Sequence, residues 1–326
     1  MRKLNFSILG TGMIAHTMAR TVTQMDGVCL YAVASRDEER ARSFAAEFGA
    51  ERCYGNYESL IRDEKADLIY IATPHSHHYR YAKACLEMGR PVLCEKAFTR
   101  TAEEAYSLIR LSDEKKVFIT EAMWPRYTPM SLRLQEILQS GIIGKVTSVT
   151  ATMGAPLMGV ERMVRPELAG GALLDLGVYS LNFVTQVLGD EPATVSPIVV
   201  RHDTGVDKKE MISLIYPDGT LAGIYNSMES ASLQHGWIYG TEGYIFVEGL
   251  TNFRSFHIYD RNQREVETIR RPEQITGYEY EVDACRRALE EKKTECSQMP
   301  HAHTLKIMEL MDRIQAAWER QDYECK

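Results

Sequence analysis

Two hydrophobic rhythms divide this chain. From residue 4 to about residue 120, short continuous apolar runs at 6–9, 30–34, 68–72, 92–94 and 117–119 alternate with helical patterns such as 38–48 and 79–88. Runs that are apolar on both faces and joined by helix-length crossovers predict a parallel sheet covered by helices on both sides. A doubly wound α/β domain is expected there. After Pro125 the rhythm changes: helical patterns at 129–140 and 171–188 enclose a strand at 146–151, and strand-like runs follow at 194–201, 210–216, 220–226, 236–239, 244–248 and 256–259. Turn signals such as Pro217-Asp218-Gly219 and Thr241-Glu242-Gly243 separate them. This pattern predicts a second α/β domain built on a large, mostly antiparallel, open sheet. The boundary is expected near residues 124–129, giving domains 1–124 and 125–326. Helices at 278–291 and 303–320 close the chain, the last able to pack back on the first domain.

Length supports the division, since 326 residues exceed one usual hydrophobic core and 44% hydrophobic content suffices for two. A net charge of -7 with interspersed signs argues against a nucleic-acid partner and fits a small-molecule ligand. The cysteines Cys29, Cys53, Cys85, Cys94, Cys285, Cys296 and Cys325 are odd in number and form no C-x-x-C pair, as reduced thiols do. The N-terminus lacks a signal-peptide pattern, and no apolar run approaches the roughly 20 residues of a membrane helix. The expectation is a cytoplasmic protein without a membrane partner.

Gly10-Thr11-Gly12-Met13-Ile14-Ala15 follows the first strand and opens a helix, the context in which G-x-G-x-x-A signals a dinucleotide. Gly10 makes the tight turn, Gly12 lets backbone approach a pyrophosphate, and Ala15 allows close helix-to-strand packing. Phosphates would sit on the N–H groups of Met13 and Ile14 at the helix start. At the end of the second strand, where an acidic residue usually meets the ribose of NAD, stand Ser35 and Arg36, with Arg40 one turn on. A hydroxyl and a guanidinium suit a 2′-phosphate, so NADP is expected rather than NAD. An ordinary solvated helix start is the alternative for Arg40 and for Arg36.

Lys96 follows a buried strand whose carboxyl end should face the ligand crevice. It is either a site cation or a salt-bridge partner of Glu95. Asp175 and Tyr179 lie four apart on an expected helix and so share a face. A phenol with a usual pKa of about 10 becomes a usable base when an ammonium stabilises its phenolate, and Lys96 can supply that charge. The bland alternative is an Asp175 that caps or forms a salt bridge and a half-buried core Tyr179. His75, His77 and His78 crowd one turn without further ligands at zinc or iron spacing, so no metal is expected. His78 either meets the cofactor or caps structure. Trp124 and Arg126, with Tyr127, either bind a polyol or flat ring or cement the domain crossover.

With these residues assembled, the chain resembles the family of glucose-fructose oxidoreductase and inositol dehydrogenase over nearly its full length. The resemblance rests on Gly10-x-Gly12-x-x-Ala15, Thr73-Pro74 with His78, Gly89 through Glu95-Lys96, and Gly170-Gly171 through Asp175-Leu176-Gly177. Glu121-Ala122-Met123-Trp124 with Arg126, Tyr179 in place of histidine, and Arg201-His202 followed by Thr204-Gly205-Val206-Asp207 look most like the branch of dimeric dihydrodiol dehydrogenases and NADP-dependent xylose dehydrogenases. It implies a Rossmann domain, a second α/β domain that dimerises through its sheet, and a cofactor site including Thr73, Pro74, His78 and Glu95. It also implies Lys96 and Tyr179 at the reacting carbon of an aldose or trans-dihydrodiol. One departure stands out: the family's usual proline after Glu-Lys is Ala97, expected to loosen the turn that carries Lys96. Two rivals to hydride transfer stay open, a catalytically silent NADP-binding regulator and an NAD-assisted glycoside hydrolase.

Overall fold

Six short strands form the first sheet, and five of them are buried along most of their length, because apolar side chains on both strand faces demand helices above and below. A computed structural model describes residues 3–324, with 319–324 described by backbone alone, so Cys325 lies outside the described residues. The elements are β1 (Leu4–Leu9), α1 (Met13–Val22), β2 (Val28–Ala34), α2 (Glu38–Phe48), β3 (Arg52–Tyr54), α3 (Tyr57–Ile61), β4 (Leu68–Ile71), α4 (His75–Glu87), β5 (Val92–Glu95), α5 (Ala102–Lys115) and β6 (Ile119–Ala122). All neighbours pair in parallel in the order β3-β2-β1-β4-β5-β6. The order reverses between β1 and β4, which opens a crevice at the strands' carboxyl ends.

Two local expectations need correction. The strand expected at 117–119 begins at Ile119, because Lys116 turns left-handed (φ 55°) and the Val117 N–H donates to the Ser112 carbonyl, closing α5. The helix expected at 79–88 starts at His75, directly after Pro74. The short β3 and α3 offered no legible period.

The second sheet follows α6 (Pro129–Gln139) and consists of β7 (Val146–Gly154) and, after α7 (Val178–Leu188), β8 (Thr194–Arg201), β9 (Asp207–Ile215), β10 (Leu221–Ser227), β11 (His235–Gly240), β12 (Gly243–Glu248), β13 (Ser255–Asp260) and β14 (Glu265–Arg270). Its order is β14-β13-β12-β11-β7-β10-β9-β8, antiparallel except for the β7–β10 pair. One face packs against α7, whose Tyr179 to Thr185 are buried; the strands alternate accordingly, with Ile212, Leu214, Ala222, Ile224 and Ile238 inward. Residues Pro166–Leu188 are long and apolar enough to cross a membrane, contrary to expectation, but 83% of the apolar window is buried, as in the core helix of a folded domain.

Two compact units result, residues 1–127 with 274–304, and 128–273 with 305–326. Residues 274–304, expected in the second domain, belong to the first. The reason is pairing at the β6 edge: the Ile119 N–H donates to the Thr294 carbonyl, and His301 bonds the Ile119 carbonyl. This segment carries α8 (Glu279–Glu290) and the start of α9 (His301–Glu324).

Candidate functional site

The strand-to-helix turn after β1 has the geometry its glycines require. Gly10 sits at φ +118°, and a Cβ there would stand 2.7 Å from the Ala72 carbonyl oxygen, so no other residue fits without moving backbone. A Cβ on Gly12 would meet nothing within 4 Å, which leaves the space above the helix start open. Helix α1 has no side-chain cap hydrogen bond and no acidic residue in its first turn, a helix start whose N–H groups at Met13 and Ile14 suit an anion. The Met13 side chain itself is 82% exposed.

A cleft of about 580 Å³ opens from this turn, lined by Gly10, Gly12, Ser35, Arg36, Arg40, Thr73 and Pro74 together with Thr11, Asp37 and Tyr57. The structure thus gathers the expected cofactor residues of the first two strands and the β4–α4 turn. Among the described residues Asp37 is the one acid that lines the cleft, and its carboxylate is engaged: it caps α2 through the Arg40 N–H (3.1 Å) and lies 3.8 Å from the Arg40 guanidinium. Ser35 is buried, its N–H bound to the Tyr54 carbonyl at 3.0 Å. The Thr73 hydroxyl oxygen is buried with no hydrogen-bond partner. An orphaned polar atom of this kind costs about 1–3 kcal/mol unless a ligand satisfies it. The residues present therefore fit a dinucleotide.

At the end of β5, Lys96 is half-buried and its N–H donates to Glu95 Oε2 at 3.1 Å. Glu95 also accepts from the Tyr70 hydroxyl. The Lys96–Ala97 peptide bond is cis, and Ala97 is fully buried. His78, completely buried, reaches the Thr73 carbonyl with Nε2 and the Ala97 carbonyl with Nδ1, both at 2.9 Å. Burial pushes its pKa down to about 4, so the ring is neutral. Of its two expected roles the geometry favours structure, because both ring nitrogens are occupied by the backbone on either side of the crevice.

Glu121, which carried only family resemblance in the sequence, proves to brace this turn. Its Oε1 accepts the Phe98 N–H at 3.2 Å, and its Oε2 accepts from the Thr304 hydroxyl at 3.1 Å. Burial raises its pKa to about 7. A carboxyl whose folded pKa lies above its unfolded value stabilises the fold fully below the unfolded pKa and loses that contribution as pH rises through the folded one. Thermal melts should therefore lose stability between about pH 4 and 7, and Glu121→Gln should flatten part of that slope. An unchanged slope in the variant would show that Glu121 does not titrate there. Glu210 and Glu281, also raised by burial, keep the remainder of the dependence.

Trp124 and Arg126 lie on a short 3-10 turn after β6. One face of Trp124 stacks on Tyr278 from the returning segment, with ring centroids 4.2 Å apart and planes at 10°. Tyr278 was not a candidate in the sequence, since no local signal links it to residue 124.

In the second unit, Asp175 and Tyr179 are both buried. The expected continuous helix is instead a π-helical turn, Leu173–Gly177, leading into α7. Turns of this kind often mark functional sites. Its start is pinned by Asp207, which accepts the Leu173 N–H at 2.6 Å beneath Gly171 (φ +125°). Asp175 pairs with Arg162 at 3.0 Å, a partner that sequence spacing did not disclose. Among the described residues no group of His, Cys, Asp or Glu is arranged to hold a metal.

Comparison with known proteins places this geometry. The model of the oxidoreductase family with an NAD-binding Rossmann fold matches residues 4–123, and that of the GFO/IDH/MocA C-terminal domain matches residues 131–246. The trans-1,2-dihydrobenzene-1,2-diol dehydrogenase of Danio rerio is 31% identical, covering 95% of each chain. The D-xylose 1-dehydrogenase (NADP(+)) of Hypocrea jecorina is 33% identical, covering 95% of this chain and 90% of its own. In fold, a 3-ketoreductase from Actinomadura kijaniata superposes with a TM-score of 0.87 at 22% identity, covering 97% of this chain and 98% of that one. This chain belongs to the GFO/IDH/MocA family of oxidoreductases.

Proposed function

We propose that the protein is an NADP-dependent dehydrogenase that moves hydride between nicotinamide and a CH–OH carbon of an aldose or a trans-dihydrodiol. The observation that carries this reading is the cleft in which Ser35, Arg36 and Arg40 stand beyond the Gly10–Gly12 turn while Asp37 is engaged as a cap. The activities of the dihydrodiol and xylose dehydrogenase relatives support the substrate class. Bound nicotinamide supplies the hydride acceptor or donor. Tyr179 takes the proton from the substrate hydroxyl, or returns it to the carbonyl in the reverse direction. Lys96 stabilises the phenolate, and Asp175, oriented by Arg162, positions the substrate.

We also infer a homodimer through the open face of the second sheet, in a reducing, cytoplasmic setting consistent with the free thiols of the described cysteines. On that face Ile198 pairs across to Met211, and Ile215 to Leu221, all exposed. Trp237 packs on Phe246 at 4.6 Å in the same sheet. An apolar face of this breadth is costly in water.

Purified protein incubated with aldoses and with trans-dihydrodiols should reduce NADP, read by absorbance at roughly 340 nm, and should sediment as a dimer. Cofactor binding with no turnover on either class would favour the silent regulator. Transient oxidation without released reduced cofactor would favour the hydrolase.

A further inference from the structure

The cleft contains one side chain that the dinucleotide motif does not account for, Tyr57. It is the first residue of α3, capped by Asn56, whose side chain accepts the Ser59 N–H at 2.8 Å. Its position is fixed from both sides. Ala34 pairs with Tyr54, and the Ser35 N–H donates to the Tyr54 carbonyl at 3.0 Å, so the end of β3 is tied to the residue preceding Arg36. Between Tyr54 and Tyr57 the chain passes so close to α2 that a Cβ on Gly55 would stand 2.9 Å from the Glu38 Cβ. Behind Tyr57, the Tyr81 ring meets it edge-on at 4.8 Å, while His77 stacks on Tyr81 and the Arg80 guanidinium lies over the same ring at 5.1 Å. The phenol ring is thus buried and immobilised, at 7% exposure, yet it lines the cleft beside Arg36.

We propose that Tyr57 is a determinant of NADP preference: its hydroxyl accepts from the Arg36 guanidinium and donates its own proton to the 2′-phosphate. The chemistry favours a phosphate dianion over a ribose hydroxyl, because two donors aimed at a charged acceptor make stronger bonds than the same donors on a neutral one. A guanidinium has only donors, so the phenol oxygen accepts from it and keeps its O–H for a second acceptor. Both groups then reach the phosphate as a preformed pair, and Arg36, otherwise an exposed side chain, loses less freedom on binding. Burial raises the Tyr57 pKa, and the charge and side-chain hydrogen bonding of Arg36 act against that rise. His77 is pushed down by burial and then by the charges of Arg36 and Arg80.

This assignment rests on the NADP reading above, and one set of titrations separates the two. Dissociation constants for NADP and NAD are measured by calorimetry on the wild-type protein and on Tyr57→Phe, which keeps the ring packing and removes the hydroxyl. A hydrogen bond to a charged group is worth about one factor of ten or somewhat more in affinity. NADP should therefore weaken by about tenfold in Tyr57→Phe while NAD stays within about twofold. Unchanged NADP affinity, or equal weakening of both cofactors, overturns the role of Tyr57 while leaving the NADP reading intact if the wild-type protein prefers NADP. A wild-type protein that binds NAD as tightly as NADP overturns both.

Discussion

Removing the hydroxyl of Tyr179 should lower kcat by about 10²-fold or more while NADP affinity stays near the wild-type value, since positioned acid-base groups contribute on that order. Phenylalanine keeps the ring volume at a buried position on a helix whose residues Val178 to Thr185 are all buried, so the change is chemical and not a packing defect. The supporting structure survives it: Asp207 continues to hold the Leu173 N–H, and Arg162 continues to hold Asp175. On the role proposed for Lys96, Lys96→Met should produce a comparable loss, because an ammonium is what would bring the phenolate within reach near neutral pH. Measurements of kcat across sugars and dihydrodiols, with NADP binding followed separately, decide the matter. Near-normal turnover in both variants would remove the pair from the mechanism.

Arg36→Asp should weaken NADP by about 10²-fold or more and leave NAD nearly unchanged. Two effects add: charge-assisted hydrogen bonds to the phosphate are lost, each worth about 1.5–3 kcal/mol, and a carboxylate is set against a dianion. For NAD the same carboxylate can accept from the free ribose hydroxyl, as acids at the end of the second strand do in NAD-binding folds. Ser35 remains, held through its N–H by Tyr54, so the cleft keeps its shape. The ratio of the two dissociation constants is the decisive quantity. An equal loss for both cofactors would mean that Arg36 shapes the fold of the turn and does not touch the phosphate.

Much of this site was legible because its signals are local. Gly10 and Gly12 announce their turn through backbone requirements that a short window contains, and the strand before Lys96 is a continuous apolar run. The edge strands β3 and β14 were not legible: one has three residues and the other, Glu265–Arg270, is largely exposed and charged. The break from α to π geometry at Leu173–Gly177 was hidden for a different reason. It is held by Asp207, 34 residues further on, and no pattern within the segment itself records that bond.

Periodicity and glycine backbone freedom act over a few neighbouring positions, so the class of each sheet and the dinucleotide turn were readable from the chain alone. Only the tertiary structure decided that residues 274–304 return to the first unit, that Trp124 meets Tyr278, that Asp175 meets Arg162, and that Glu121 braces the turn after Lys96. These partners are set by how layers pack and by which buried polar groups must find one another away from water, and neither condition is written in any single stretch of chain.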